Sequence, residues 1–405
     1  MIYFFVLAIF ALGNDVFNLV PDSIPSSDLG LVLIFGGLGV ILLKRDANFR
    51  NCLNIFGFFS LAYLLLIAAQ ASIASFFYQQ SILDGLIAAR KQYYYLSFFL
   101  FAILLSDRDR IRTTLDLLSL LALALFFLGL VNYFVHPIFY HKWAEGQGIR
   151  GGIVRGFIPG MQIIVLGCIW QAYKLVKSAR ISYTQLLYVM TLLGAVLFRQ
   201  TRSHLLVVLG VIGLMLLINK RWSVLLLGSL MLFLGTIALS IYTQENLIVS
   251  AVTSTYLDVS EGEGTWAGRL RQIQSSSEQL AETFWTGSGG ITIRAAGGWE
   301  EVGTTLGLIR RNIDLGYFVW LKFFGLPGLI LLLVLFAGYA NYLLNIRRVV
   351  VAEDREILGF AGYYLLAILV SMITLPYMTD PGGILLTCLA MAILASRSRR
   401  AALLS

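Results

Sequence analysis

The residues that could do chemistry in this chain cluster in one polar interval, 243–312, and in the apolar segment that follows it. The interval carries Gly268-Arg269, then Gly287-Ser288-Gly289-Gly290, then Arg310-Arg311-Asn312, and runs into Ile313-Asp314-Leu315-Gly316-Tyr317. Arginine grips phosphate or carboxylate oxygens through two parallel N–H bonds, which an ammonium cannot do. A carboxylate at the first turn of an apolar helix can take a proton from an attacking hydroxyl. Asp314 is the candidate for that role, against the plainer readings of a helix N-terminal acid favoured by the macrodipole or a partner for one arginine.

More cations stand where a membrane chain disfavours them, in outer loops or inside apolar stretches, where a charge is costly unless paired or functional. Arg202 and Arg269 are the first choices for an anion site, with Arg155 and Arg150 next. Arg90 is a secondary candidate, because Arg90-Lys91 beside Tyr93-Tyr94-Tyr95 is unusual inside an apolar run. Arg310 and Arg311 read equally well as contacts to lipid phosphates, and Arg199 as a snorkelling cation at a hairpin. His204 could hydrogen-bond in the same cavity, although a lone histidine is more often structural. His136 and His141 lack a carboxylate or cysteine at ligand spacing, so no metal is expected. A P-loop, a dinucleotide fingerprint and a nucleotide-sugar DxD site are all missing; Asp107-Arg108-Asp109 reads as a solvated turn.

The elements that must position these residues are membrane helices. The chain has 405 residues, 58% hydrophobic and 13% charged, with mean hydropathy +0.81. That apolar surface exceeds what a soluble domain can bury. The net charge of +8 is spread over short loops and does not suggest nucleic acid. Cys52, Cys168 and Cys388 fall in or beside apolar segments and read as small core residues. The first residues read as a retained helix, not a removed signal.

Spans of ~20 apolar residues are expected near 1–19, 28–43, 52–76, 84–105, 114–135, 157–175, 182–199, 203–219, 222–242, 313–345, 356–377 and 382–396, about twelve in all. Alternate loops hold Lys44-Arg45, Arg108, Arg110 and Arg112, Lys174 and Lys177, Lys220-Arg221, Arg347-Arg348, and Arg399-Arg400. Those loops are therefore expected in the cytoplasm with both termini, and loop 243–312 outside. The organisation is then 1–242, helices one to nine; 243–312, the large periplasmic loop; and 313–405, the last three helices and tail. Within the loop, 265–285 reads as an amphipathic helix. A second outer loop, 137–156, is rich in glycine, which suggests close approach to a ligand or another backbone.

Four stretches, in order, resemble the O-antigen polymerase and O-antigen ligase superfamily. Leu197-Phe198-Arg199-Gln200-Thr201-Arg202-Ser203-His204 is similar to its arginine segment, though without the serines usual before the arginine. Gly268-Arg269 is similar to its G-R and Gly287-Ser288-Gly289 to its G-x-G. Asp314-Leu315-Gly316-Tyr317 before Gly325-Leu326-Pro327-Gly328 resembles its D-x-G-(Y/F)…G-(L/I)-x-G. The resemblance spans about 150–345. It implies an all-α polytopic membrane protein with a glycosyltransferase-C-like architecture in the bacterial inner membrane. It also implies a metal- and cofactor-independent transfer of a polyprenyl-diphosphate-linked oligosaccharide to a glycan acceptor. Catalytic residues would be Asp314, Arg202 and Arg269; Arg155, Arg150, Arg90, His204, Arg310, Arg311 and Tyr317 would bind substrate. Further partners would be the bilayer and a chain-length-regulating membrane protein. Ligases usually have a His-Asn pair where Asp314-Leu315 stands, which favours a polymerase over a ligase. A lipid-linked glycan flippase is the alternative outside the enzymes, disfavoured by the lack of visible repeat symmetry.

Overall fold

The computed structural model describes residues 2–14, 16, 26–43, 52–134, 149–150, 153–154, 158, 160–178, 182–198, 202–223, 226, 228, 270, 273–274, 277, 280–281, 283–289, 316–345, 352–375 and 377–403. Among the described residues the fold is helical apart from one short hairpin. The helices are α1 Ile2–Gly13, α2 Ser26–Leu43, α3 Ile55–Tyr78, α4 Ile82–Ala88, α5 Ser97–Leu104, α6 Arg108–Phe134, α7 Met161–Lys177, α8 Tyr183–Phe198, α9 Arg202–Ile218, α10 Gly316–Asn345, α11 Ala352–Ser371 and α12 Pro381–Leu403. Two 3-10 segments, Arg90–Leu96 and Tyr377–Thr379, sit between α4 and α5 and between α11 and α12.

Four described helices are long and apolar enough to cross a membrane: Ser26–Leu43, Ile55–Phe77, Arg108–Phe134 and Gly316–Leu344. Shorter apolar helices include Tyr183–Phe198 and Pro381–Ser396. The chain is an α-helical membrane protein. Local signals set several boundaries. The Asn54 side chain caps α3 by accepting from the amides of Phe56 (3.0 Å) and Gly57 (3.1 Å), two donors a helix start leaves unmet. Ser81 caps α4 through the Asp84 amide at 3.0 Å.

Two departures from the sequence expectations bear on the site. The expected span 84–105 is not one helix: α4 ends at Ala88, a 3-10 stretch follows, and α5 begins at Ser97. Three side chains tie that stretch to separate elements. Arg90 pairs with Asp28 of α2, the Tyr94 hydroxyl donates to the Ser27 carbonyl, and the Tyr95 hydroxyl donates to the Met378 carbonyl at 3.1 Å. The other departure is in the glycine-rich loop 137–156. It contains an antiparallel pair, β1 Ile149–Arg150 with β2 Ile153–Val154, where no strand was expected. Gly151-Gly152 between them is a sequence suited to a two-residue hairpin turn.

The core runs along α7 and α12. Trp170, Tyr173, Ile164 and Leu166 of α7 are buried, as are Ile384, Leu386 and Met391 of α12. A second aromatic core joins α3, the first 3-10 segment and α10. The Tyr63 ring lies 4.2 Å from that of Tyr95 and 4.9 Å from that of Trp320. The starts of α7, α9, α10 and α12 meet at one end of the bundle, called here the Asp380 end. The ends of α7 and α9 meet the starts of α6 and α11 at the other, the Lys174 end.

Candidate functional site

α10 is broken. Gly325 has φ 56° and ψ −149°, outside any helical conformation and in the region only glycine enters cheaply. A break in a membrane helix frees backbone groups that lipid cannot satisfy. Here the segment before α10 satisfies them. The amide of Ser288 donates to the Lys322 carbonyl at 2.9 Å, and that of Gly289 to the Phe323 carbonyl at 3.4 Å. In return the amide of Leu326 donates to the Phe284 carbonyl at 2.7 Å. Gly287 (φ 78°) and Gly289 (φ 74°) provide the turns. A Cβ on Gly325 would fall on the backbone of Gly287 and Phe284, and one on Gly287 on that of Phe323. The two glycine clusters are thus halves of one interlock, and Gln70 of α3 clamps it by donating a hydrogen bond from its side-chain Nε2 to the Thr286 carbonyl.

The Asp380 end adds a polar seam. Residues 372–375 and 377–380 form a hub to which helix starts attach. Tyr317 of α10 donates its amide to the Met372 carbonyl at 3.0 Å and its hydroxyl to the Leu369 carbonyl at 2.6 Å. Gln162 of α7 donates to the Asp380 carboxylate at 3.1 Å. The His204 ring of α9 meets Tyr377 edge-on, centroids 6.1 Å apart. Gln92 bridges the Tyr63 hydroxyl (2.6 Å, accepting) and the Thr379 carbonyl (3.1 Å, donating).

Of the residues expected to form the site, His204 and Tyr317 reach this hub. Arg90 lies on the same side of the fold with its guanidinium on the Asp28 carboxylate at 2.9 Å, each side chain about one third exposed (40% and 32%). The backbone of Arg202 opens α9, one turn from the hub, and that of Arg150 lies in β1; their side chains, and all of Asp314, Arg269, Arg155, Arg310 and Arg311, lie outside the described residues. Among the expected amphipathic helix 265–285, Leu270, Ile273, Ser277 and Leu280 are helical. Among the described residues no cluster of His, Cys, Asp or Glu could hold a metal.

Sequence reasoning missed Asp380, Gln162, Gln92, Gln70 and Asp28. Asp380-Pro381 was the readable signal among them, since an acid before a proline is a helix-start pattern; lone glutamines in apolar helices carry no comparable mark. No protein-family model and no curated protein matches this chain.

Proposed function

We propose that this membrane protein is a glycosyltransferase that polymerises polyprenyl-diphosphate-linked oligosaccharide repeat units, of the O-antigen, capsule or exopolysaccharide kind. In this reading it has about twelve spans, with loop 243–312 and the site at the periplasmic face of the bacterial inner membrane and both termini in the cytoplasm. The observation that carries the reading is the interlock. Gly287-Ser288-Gly289 and Gly325-Leu326, read from sequence as two separate elements of one family pattern, close on each other through three backbone hydrogen bonds. His204, from the first stretch of the pattern, and Tyr317, from the same stretch as Gly325, meet the hub.

The chemistry follows from the donor. An acceptor hydroxyl attacks the anomeric carbon, a new C–O bond forms, and the bond to the diphosphate oxygen breaks with its electron pair. Arg202 and Arg269 stabilise the charge growing on that diphosphate, and Asp314 takes the hydroxyl proton. The Asp380 hub supports this machinery by holding the starts of α7, α9 and α10 together.

One observation favours a flippase: a discontinuous membrane helix is a common transporter device, with freed backbone groups binding cargo. In α10 the Lys322 and Phe323 carbonyls and the Leu326 amide are already used by the interlock, which weakens that reading. The test is the purified protein with a lipid-diphosphate-linked repeat unit, products sized on a gel. A ladder that disappears in Arg202→Ala, Arg269→Ala and Asp314→Ala supports polymerisation. Transfer to lipid A-core in place of a ladder would make the protein a ligase, and activity with neither acceptor would favour the flippase.

A further inference from the structure

The start of α2 and the first 3-10 segment meet at a charged corner that the proposed chemistry does not use. Nε of Arg90 donates to both carboxylate oxygens of Asp28, at 2.9 and 3.2 Å. Nη1 of Arg90 donates to the Ile87 carbonyl at 3.4 Å. These bonds fix the guanidinium and use only part of its fork. Among the described residues Nη2 meets no acceptor. The next residue, Lys91, is exposed and likewise has no partner among them.

An open apolar track leads away from this corner. Val32, Phe35, Gly39 and Leu42 follow Asp28 at alternating spacings of four and three residues, so they share its stripe of α2. Val32, Phe35 and Leu42 are exposed, and a Cβ on Gly39 would meet nothing. Ile82, Leu83 and Ile87 of α4 are exposed as well. α2 is the most peripheral of the four long spans, with 22% of its residues buried against 39–44% for the others. Cations at one end and a bare apolar stripe below them match a lipid with a phosphate headgroup.

Charge decides which lipid. Arg90 and Lys91 are two cations against the one carboxylate of Asp28, which leaves one net positive charge. Asp84, at the far end of α4, is engaged by the Ser81 hydroxyl at 2.9 Å. A singly charged phosphodiester neutralises that excess. A diphosphate would leave surplus negative charge beside Asp28, and a zwitterionic head would leave the cation unanswered.

We propose that this corner seats the headgroup of an anionic glycerophospholipid. The phosphate accepts from Nη2 of Arg90 and from the Lys91 ammonium, using the fork that guanidinium offers to phosphate oxygens. One acyl chain lies along Val32, Phe35 and Gly39. The bound lipid joins the peripheral α2 to the 3-10 segment, whose Gln92 reaches the Thr379 carbonyl of the hub. The seat needs only the bilayer and stands whatever the protein transfers.

The test is photolabelling of the full chain in phosphatidylcholine nanodiscs. The probe is phosphatidylglycerol with a diazirine in its acyl chain, and labelled peptides are mapped by mass spectrometry. Phosphatidylcholine with the same chain is the control. Label on α2 between Val32 and Phe35 should exceed the control about tenfold, the usual worth of a hydrogen bond to a charged group. Arg90→Gln and Lys91→Gln should each bring it down to near the control. Arg90→Gln also strands Asp28; Lys91→Gln touches only an exposed side chain and keeps the test open if the first variant does not fold. Equal labelling by the two lipids would mean ordinary bilayer contact and overturn the proposal, as would labelling that ignores both substitutions. Farnesyl diphosphate, added as competitor, should leave the label in place. If it displaces the label, the seat belongs to an isoprenoid diphosphate and the phosphodiester assignment falls.

Discussion

The two ends of the bundle are held by different physics. At the Lys174 end the contacts are ionic. Lys174 Nζ and Trp170 Nε1 each lie 2.7 Å from one oxygen of Asp116. Arg221 donates to the carbonyls of Val176 and Ser178 at 3.1 and 2.6 Å, closing the last turn of α7, and Arg112 reaches Glu356 at 3.0 Å. At the Asp380 end, among the described residues and apart from Arg90–Asp28 and the Asp380 carboxylate, glutamine amides, tyrosine hydroxyls and backbone groups do the holding. Long cations tolerate misplacement and keep their heads near water. Buried neutral bonds are short-ranged and directional, and they are costly to leave unmade. Among the described residues, the second end carries the 3-10 segments Arg90–Leu96 and Tyr377–Thr379 and the break at Gly325 on the same half of α10.

That contrast predicts an order of sensitivity. Gly325→Val should do the most damage, because a Cβ meets backbone at a positive φ. A loss of about 3 kcal/mol or more is expected, read as early thermal unfolding in micelles and as loss of any polymer ladder. Gln92→Leu comes next. It strands the buried Tyr63 hydroxyl, for about 2 kcal/mol; the same thermal measurement checks it, and the loss should not change with salt. Asp116→Asn, at the other end, should cost about 1 kcal/mol or less, since its pair with Lys174 is partly exposed (45% and 22%). Raising ionic strength should narrow the gap between Asp116→Asn and wild type. The smallest effect is the coupling between Arg112 and Glu356, about 0.5 kcal/mol in a double-mutant cycle. Should Asp116→Asn unfold the protein more readily than Gln92→Leu, the proposed division between the ends is wrong.

Much of the helical layout was legible in the sequence, because apolar runs of membrane length are read by composition alone. The stretches expected at 52–76, 114–135 and 313–345 correspond to α3, α6 and α10. The stretch at 84–105 was misread because nothing local breaks it. Its 3-10 turn is held by Asp28, Ser27 and Met378, partners drawn from distant parts of the chain. The site divides in the same way. Both glycine clusters were picked out only as elements of the family resemblance, and so was Tyr317, while His204 stood out as a histidine one turn into an apolar helix. The partners of Gln92, Gln162 and Asp380 did not, since a single amide or acid acquires meaning only from what faces it.

By itself the sequence determined a membrane-embedded helical chain, the positions of its longer apolar helices and the glycines that permit a break, because hydrophobicity and backbone freedom are properties of residues. Only the tertiary structure decided that Gly287–Gly289 closes the break at Gly325, that Arg90 answers Asp28, and that one polar hub gathers the helix starts. Hydrogen bonds between remote segments depend on where the fold brings them, and no local pattern records that.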